Sequence, residues 1–331
     1  MNLKNRIELL EKLKAYIQEN GNDWQVTKSR ATAQNGWFTP EFIELATANI
    51  CNHILGMNHI MQWADHYHLD DNIGGKNVGI VMAGNIPLVG FHDFLTAFLS
   101  GHKQTIKLSS KDDVLLKHLA EKLCEWDTAA SGKIVFADML RGCDAYIATG
   151  SNNSARYFEQ YFSKYPHIIR RNRTSVAILT GNEDAEALDK LADDVHLYFG
   201  LGCRNVTKVF VPWEYDFVPL LRAFDKYKHF ADHNKYKNNY DYQLSLALLN
   251  NKYYMTNGSI LLIENESIFS PISQLHYSYY NDLDTLKTQL AGNGDIQCII
   301  DENETGFGQA QSPGLFDYAD GVDTMAFLLS L

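Results

Sequence analysis

The 331-residue sequence lacks the two glycine-rich signatures by which many proteins hold phosphate groups. It contains neither a GxGxxG pattern nor a GxxxxGK[ST] pattern, which excludes the commonest dinucleotide and nucleoside-triphosphate loops. Its five cysteines show no CxxC pair and no metal-ligand spacing, so we expect no metal site. An odd number of unpaired thiols is typical of a reducing compartment, and we expect a cytoplasmic protein.

Positive charge is also scarce, since 29 lysines and arginines stand against 40 acidic residues for a net charge of −11. Nucleic acid needs a basic face and is therefore excluded as the main partner. Long apolar runs are missing as well, because polar residues and a proline interrupt the longest one, Val78 to Ser100. That run is too broken to span a bilayer, and we expect no membrane segment.

From residue 77 onward, strand and helix patterns alternate. The first block predicts four strands: Val78–Met82, Gln104–Leu108, Ile134–Phe136 and Ala145–Thr149. The second block predicts five: Ser175–Leu179, Thr207–Val211, Ser259–Ile263, Gln274–Tyr279 and Ile296–Ile300. Such alternation is typical of largely parallel sheets. We therefore predict an α/β protein with two doubly wound α/β domains, over 1–172 and 173–304, a cleft between them, and a C-terminal tail over 305–331.

Two polar motifs follow the first two predicted strands. Gly84 permits a sharp exit from the first strand and presents Asn85, whose amide is suited either to an oxyanion or to the backbone of its own turn. The turn backbone is the commoner partner. After the second strand, Lys107, Ser109 and Ser110 are suited to ribose hydroxyls or phosphate, and a lysine that simply reaches water is equally typical.

A third motif ends the fourth predicted strand. Gly150 and Ser151 stand where a helix begins, and the free N–H groups of a helix N-terminus attract a pyrophosphate. Ser151 or Asn152 is equally suited to cap that helix. The basic run 170–173, at the joint of the two blocks, indicates either a solvated connector or a contact to a polyanionic cofactor.

Cys203 is the cysteine in the most reactive setting. Gly200 and Gly202 precede it and let a substrate approach closely, while Arg204 follows and favours the thiolate, which is the nucleophilic form. A single cysteine is more often a small buried apolar residue than a nucleophile. The local sequence therefore leaves both interpretations open.

The order of these motifs resembles the aldehyde dehydrogenase superfamily, and more closely the LuxC-type acyl-CoA reductases, from about Asn77 to the C-terminus. Five segments carry the resemblance: Gly84–Leu88, Leu99–Ser110, Thr149–Ser151, Gly200–Cys203 and Ser267–Ile272. It implies an aldehyde-dehydrogenase-like fold with Cys203 as nucleophile and Asn85 in the oxyanion hole. The cofactor-binding residues that it implies are Gly84, Lys107, Ser109, Ser110, Gly150 and Ser151.

Three departures refine this resemblance. The predicted strand within 173–179 lacks the glutamate base of oxidising relatives, which favours reduction of an acyl-CoA over hydrolysis. Ser110 replaces a ribose-binding carboxylate, which favours NADPH, with NADH as the alternative. Ser267 replaces a glutamate at the nicotinamide ribose. We therefore expect NADPH-dependent reduction of a fatty acyl-CoA to an aldehyde through a cysteine acyl-enzyme, with coenzyme A entering as part of the small-molecule substrate.

Several questions stay open at this point. An aldehyde or semialdehyde dehydrogenase dependent on NAD(P), and a scaffold that kept the fold without activity, are the alternative functions. His92 and His196 are the candidate proton donors. The resemblance also implies a homodimer or tetramer, with Met325–Leu329 as a candidate oligomerisation strand.

Overall fold

The computed structural model describes residues 1–71, 75–302 and 305–331. Their backbone divides into two compact units. Unit 1 contains Met1–Asn172 and Pro313–Leu331, and unit 2 contains Arg173–Ser312. The end that the sequence predicts for the second domain, residue 304, lies outside the described residues. In the structure, the chain re-enters unit 1 at Pro313.

Unit 1 begins with four helices, because apolar residues recur at helical spacing and each helix start has a suitable residue. Leu10 and Leu13 of the first helix are fully buried, as their spacing predicts. Thr39 caps the third helix by accepting the N–H of Phe42, and Pro40 is its first residue. The four helices are α1 (Leu3–Glu19), α2 (Asn22–Gln34), α3 (Pro40–Asn49) and α4 (Met57–His66).

The sheet of unit 1 has five parallel strands in the order β3-β2-β1-β4-β5. They are β1 (Asn77–Val81), β2 (Lys103–Lys107), β3 (Ile134–Phe136), β4 (Ala145–Thr149) and β5 (His167–Arg170). The helices between them are α5 (Phe91–Ser100), α6 (Leu115–Trp126), α7 (Thr128–Ser131) and α8 (Asn152–Phe162). The strand order reverses between β1 and β4, and such a switch point is where doubly wound sheets bind ligands.

Unit 2 contains the second sheet, in the order β11-β6-β7-β10-β9-β8. All neighbours pair in parallel except β8 and β9. The strands are β6 (Thr174–Ile178), β7 (Val206–Pro212), β8 (Met255–Thr256), β9 (Leu261–Glu264), β10 (Gln274–Tyr280) and β11 (Ile296–Ile300). The helices are α9 (Ala185–His196), α10 (Phe217–Ala223), α11 (Asn234–Leu249) and α12 (Leu283–Ala291), and short 3₁₀ turns follow α9 and α10.

The predicted C-terminal strand is wrong, because the segment Thr324–Leu329 forms a helix, α13. Asp323 caps it by accepting the N–H of Ala326, and Met325 and Leu328 are fully buried at the i, i+3 spacing of one helix face. Its backbone groups are therefore satisfied within the helix and within unit 1, rather than offered as a sheet edge.

Two arginines of the basic run at the joint form ion pairs with carboxylates of unit 1. Arg170 is the last residue of β5 and is buried, with its guanidinium 2.5 Å from the carboxylate of Asp93 in α5. It also donates to the hydroxyl of Thr324 at 2.8 Å. A cation paired in this way holds α5, β5 and α13 together. Arg171 lies on the surface in an ion pair with Glu159.

Apolar burial explains the remaining packing of unit 1. Every residue of α5 except His92 is buried, because the helix packs against β1 and β2 on one side and against α1 and α13 on the other. No helix in the described part of the chain combines the length and the apolar composition that crossing a bilayer requires.

Candidate active site

Three of the sequence motifs lie at one edge of the unit 1 sheet. The turn 84–88 follows β1, residues 107–110 end and follow β2, and Gly150 follows β4. Because β2, β1 and β4 are adjacent and parallel, their carboxyl ends meet at the same edge. The sheet thus brings together residues that are up to 66 positions apart in the sequence.

The first two motifs touch each other at Gly84. A Cβ atom at this position would lie 2.7 Å from Oγ and 2.8 Å from Cβ of Ser109, and 3.2 Å from the backbone nitrogen of Asp112. Real Cβ atoms essentially never come closer than 3.0 Å to another heavy atom. The glycine is therefore required for close approach of the two loops, rather than for a left-handed backbone conformation.

A pocket of about 540 Å³ opens beside the second motif. Lys107 and Ser110 line it, and both are exposed. Lys117 from α6 adds a second cation, while Asp113 and Asp138 add two carboxylates. The pocket therefore presents hydroxyl, cationic and anionic groups together at the carboxyl ends of β2 and β3, which suits a polar ligand with hydroxyls and negative charge.

The third motif forms a capped helix start. Ser151 caps α8, and its hydroxyl accepts the N–H of Ser154 at 3.2 Å. The capping interpretation is thus confirmed for Ser151. A Cβ at Gly150 would lie 2.9 Å from both Ser154 and Phe158, so glycine lets β4 turn directly into α8. Because α8 begins directly after β4, its N-terminus lies at the sheet edge that carries the other two motifs, and N–H groups at a helix N-terminus favour an anion.

In unit 2, Cys203 lies in a tight turn between α9 and β7 and is half-buried. The preceding residues Tyr198, Phe199 and Gly200 all adopt left-handed backbone angles, with φ of 55°, 57° and 74°. For the two aromatic residues this conformation costs about 1 kcal/mol or more each. Their nearly complete burial offsets the cost, because Phe199 packs against the rings of Phe230 and other aromatics.

Asn205 organises the turn that carries Cys203. Its side-chain oxygen accepts the N–H of Gly202 at 2.8 Å, and its amide nitrogen donates to three backbone carbonyls at the end of α9. The residue is fully buried, so these bonds form away from solvent and define one geometry. The turn therefore depends on a side chain two positions after the cysteine.

Two further contacts define the surroundings of Cys203. Ser175 in β6 donates its hydroxyl to the backbone carbonyl of Cys203 at 3.1 Å. Strand β6 contains only Thr, Ser, Val, Ala and Ile, so it supplies a neutral hydroxyl and no carboxylate. Arg204, expected to favour the thiolate of its neighbour, directs one guanidinium nitrogen to the sulfur of Cys298 at 3.2 Å.

The two candidate proton donors have structural roles. His92 bonds to the carbonyl oxygen of Leu315 at 3.0 Å and packs against Trp63 and Tyr318. His196 is buried and stacks on Tyr227, and burial lowers its pKa to about 4. His196 is therefore neutral near pH 7 and unsuited to donate a proton as an imidazolium.

A lysine side chain from strand β7 holds the segment 265–269 of unit 2 in place. The ammonium group of Lys208, a fully buried residue, donates to the backbone carbonyls of Asn265 and Glu266, at 2.6 and 3.1 Å. Ser267 itself bonds to Phe269 within its own loop. The loop predicted to approach a nicotinamide ribose is thus held by a lysine five positions after Cys203.

Four important residues escaped the sequence analysis: Asp112, Lys117, Lys208 and the amide of Asn205. Lys117 was detectable in principle, because it lies in the first turn of α6, the helix that follows the loop after β2. Asp112 and Lys208 act through partners that are distant in sequence, and the amide of Asn205 reaches back to the end of α9, so no short motif indicates these contacts.

The fold and these sites define the class of the protein. Its structure resembles that of aldehyde dehydrogenase 21 from Physcomitrella patens in complex with succinate, with a TM-score of 0.66 at 13% identity over 92% of this chain and 74% of the other. An indole-3-acetaldehyde dehydrogenase from P. syringae in complex with NAD+ gives 0.65 at 12% identity, over 88% and 70%. An aldehyde dehydrogenase from Mycobacterium tuberculosis, also with NAD+, gives 0.63 at 13%, over 87% and 70%. The protein has the aldehyde dehydrogenase fold.

A family model narrows the class. The model of the acyl-CoA reductase (LuxC) family matches residues 51–216, which are 166 of the 331 residues and include both Asn85 and Cys203. The chain therefore belongs to the LuxC acyl-CoA reductase family and is an oxidoreductase of the aldehyde dehydrogenase superfamily. No curated protein sequence matches it.

Proposed function

We propose that this protein reduces a fatty acyl-CoA thioester to an aldehyde with NADPH, through a thioester intermediate on Cys203. The observation that carries the proposal is the contact between β6 and the turn of Cys203. There, Ser175 offers a hydroxyl to the backbone of the cysteine, and β6 contains no carboxylate. Without a general base to activate water, an acyl-enzyme hydrolyses slowly and persists for reduction.

In this proposal the sulfur of Cys203 attacks the thioester carbonyl carbon as a thiolate. The carbonyl oxygen becomes an oxyanion, which accepts hydrogen bonds from the amide of Asn85 and from the backbone N–H of Cys203. One such donor contributes about 3 to 4 kcal/mol to lowering the barrier. The bond from carbon to the coenzyme A sulfur then breaks, coenzyme A leaves as a thiolate, and the acyl group remains on Cys203 as a thioester.

The cofactor proposal rests on the fit of unit 1 to a dinucleotide. NAD+ is bound in two of the three similar solved structures described above. A nicotinamide cofactor, when bound, supplies the hydride that releases the aldehyde and returns Cys203 to its thiolate. In this chain, Lys107, Ser109 and Ser110 would hold the adenosine ribose, and the first turn of α8, which Ser151 caps, would bind the pyrophosphate. Gly84 and Gly150 would contribute to the cofactor site by allowing the tight turns that bring these groups to one edge of the sheet.

The preference for NADPH over NADH rests on charge in the pocket beside β2. Lys107 and Lys117 both line it, and Ser110 stands where a carboxylate would repel a 2′-phosphate. Asp113 and Asp138 line the same pocket and oppose this preference in part. We expect Lys117→Ala to raise the KM for NADPH about tenfold and to leave the KM for NADH within twofold. Equal effects on both cofactors would contradict the 2′-phosphate assignment.

The central test is intact-protein mass spectrometry after incubation with dodecanoyl-CoA in the absence of any nicotinamide. We expect a mass increase of one dodecanoyl group in the wild type and none in Cys203→Ala. The matched control is Cys124→Ala, because Cys124 is also half-buried but lies in α6 of unit 1. This variant should acylate at the wild-type rate.

The other outcomes separate the alternative functions. Oxidation of a free semialdehyde with NAD(P)+, without acylation by acyl-CoA, would identify an aldehyde dehydrogenase instead. A protein that neither acylates nor oxidises aldehydes and binds no nicotinamide would be a scaffold. Either result would overturn the proposal.

A further inference from the structure

Asp112 is a buried carboxylate that the proposed mechanism does not use. It lies in the loop between β2 and α6, and only 7% of its surface is exposed. One carboxylate oxygen accepts the backbone N–H of Leu88 at 2.8 Å, while the other is buried without a hydrogen-bond partner. Burial raises the pKa of Asp112 to about 7. A carboxylate in such surroundings lowers the stability of the fold, so its contact with Leu88 requires an explanation in terms of function.

The partner of Asp112 is a strained residue. Leu88 has a left-handed φ of 57°, which is costly for a residue with a side chain. It is buried, and its carbonyl accepts the N–H of Phe91, the first residue of α5. Leu88 therefore ends the turn that contains Asn85. The carboxylate of Asp112 accepts the backbone N–H of Leu88 and so holds this strained residue in place.

The loop of Asp112 is itself held from two sides. On one side it meets Gly84, which leaves no room for a Cβ atom between the turn and Ser109. On the other side, Asn35 at the end of α2 donates to the carbonyl of Lys111 at 3.1 Å, and Gln34 donates to the carbonyl of Ser110 at 3.2 Å. The end of α2, the loop after β2 and the turn after β1 thus form one connected assembly.

We propose that Asp112 is a positioning residue, which holds the Asn85 turn in its strained shape against the Ser109–Ser110 loop. This inference rests on the proposed function, since the orientation that the turn gives to Asn85 matters for the reaction only if Asn85 stabilises an oxyanion. It also makes the geometry of that site depend on the loop that would hold the adenosine ribose.

The test is the rate at which dodecanoyl-CoA acylates Cys203 without nicotinamide, followed by quenched mass spectrometry at a temperature where each variant is folded. Asp112→Ala removes the acceptor of the Leu88 amide, and we expect acylation at least tenfold slower, approaching the effect of losing an oxyanion donor. Asp112→Asn keeps an oxygen acceptor and should stay within about threefold of the wild type. Such rescue separates positioning from general destabilisation.

The matched control is Asp144→Ala. Asp144 accepts the N–H of Asn77 at 2.7 Å, so it makes the same kind of bond at the start of β1, away from the Asn85 turn that follows this strand. Its removal should change the acylation rate by less than twofold. Hydrogen exchange at the Leu88 amide adds a readout that needs no activity, and we expect faster exchange in Asp112→Ala only. If Asp112→Ala does not fold, Asp112→Ser, whose side chain is too short to reach the amide, replaces it.

The outcomes distinguish the two proposals. If the wild type acylates and Asp112→Ala acylates equally fast, or if exchange at Leu88 is unchanged, the positioning role is refuted and the proposed function stands. If Asp112→Asn is as slow as Asp112→Ala, the acceptor is not what matters and the positioning role is again refuted. If the wild type forms no acyl-enzyme, both proposals fall.

Discussion

Replacement of Gly84 by alanine tests whether the turn after β1 and the loop after β2 are held in direct contact. The added Cβ would lie 2.7 and 2.8 Å from two side-chain atoms of Ser109, against an ordinary contact distance of 3.4 Å or more. Ser109 belongs to a loop fixed at both ends, and the third neighbour, at 3.2 Å, is a backbone atom of Asp112. Overpacking of this kind costs about 1 to 3 kcal/mol.

The assay is urea unfolding followed by tryptophan fluorescence, which reports chiefly on unit 1 because every tryptophan except Trp213 lies there. A loss of about 2 kcal/mol lowers the midpoint by roughly 1 M urea. The matched control is Gly132→Ala in the same unit, where the nearest atom to the new Cβ is 3.8 Å away. Its midpoint should differ from that of the wild type by less than about 0.2 M.

A double-mutant cycle isolates the contact itself. Ser109→Gly removes both close atoms, so we expect Gly84→Ala to cost at least about 1 kcal/mol less in that background than in the wild type. If Gly84→Ala shifts the midpoint no more than the Gly132 control, or if the cycle shows no coupling, the inferred contact between the two loops is wrong.

Three further changes probe other parts of the structure. Burial lowers the pKa of His196 from its ordinary 6.5 to about 4, so the stability present above pH 6.5 falls by about 3 kcal/mol as the pH is lowered to 4. In urea titrations at pH 7 and pH 4, His196→Phe should remove this loss. An equal loss of unfolding free energy in the wild type and in His196→Phe would contradict the prediction. Arg170→Met leaves the carboxylate of Asp93 buried and unpaired and should cost about 3 to 5 kcal/mol of unfolding free energy; a loss below 1 kcal/mol would show that the pair is dispensable. Asn205→Ala strands several buried backbone groups and should destabilise unit 2 by about 2 to 4 kcal/mol and slow acylation of Cys203; acylation at the wild-type rate would show that the turn keeps its shape without the amide.

Local sequence determined most of the elements of this fold. Strands β3, β4 and β11 begin and end where their patterns predict. Apolar runs of five residues bounded by glycine or polar turns form buried parallel strands, and periodicity near 3.6 forms helices that cover them. These patterns depend only on neighbours in the chain, and the family motifs around Asn85 and Cys203 share that property.

Tertiary structure alone decided how the motifs are supported. The shape of the Asn85 turn depends on Asp112, and Gly84 is required because Ser109 lies against it. The Cys203 turn depends on Asn205, whose amide bonds reach back to the end of α9. The C-terminal segment became α13 because its apolar face packs against α5. Each of these contacts joins different segments of the chain that meet only when the protein folds, and neither residue propensity nor motif spacing predicts such contacts.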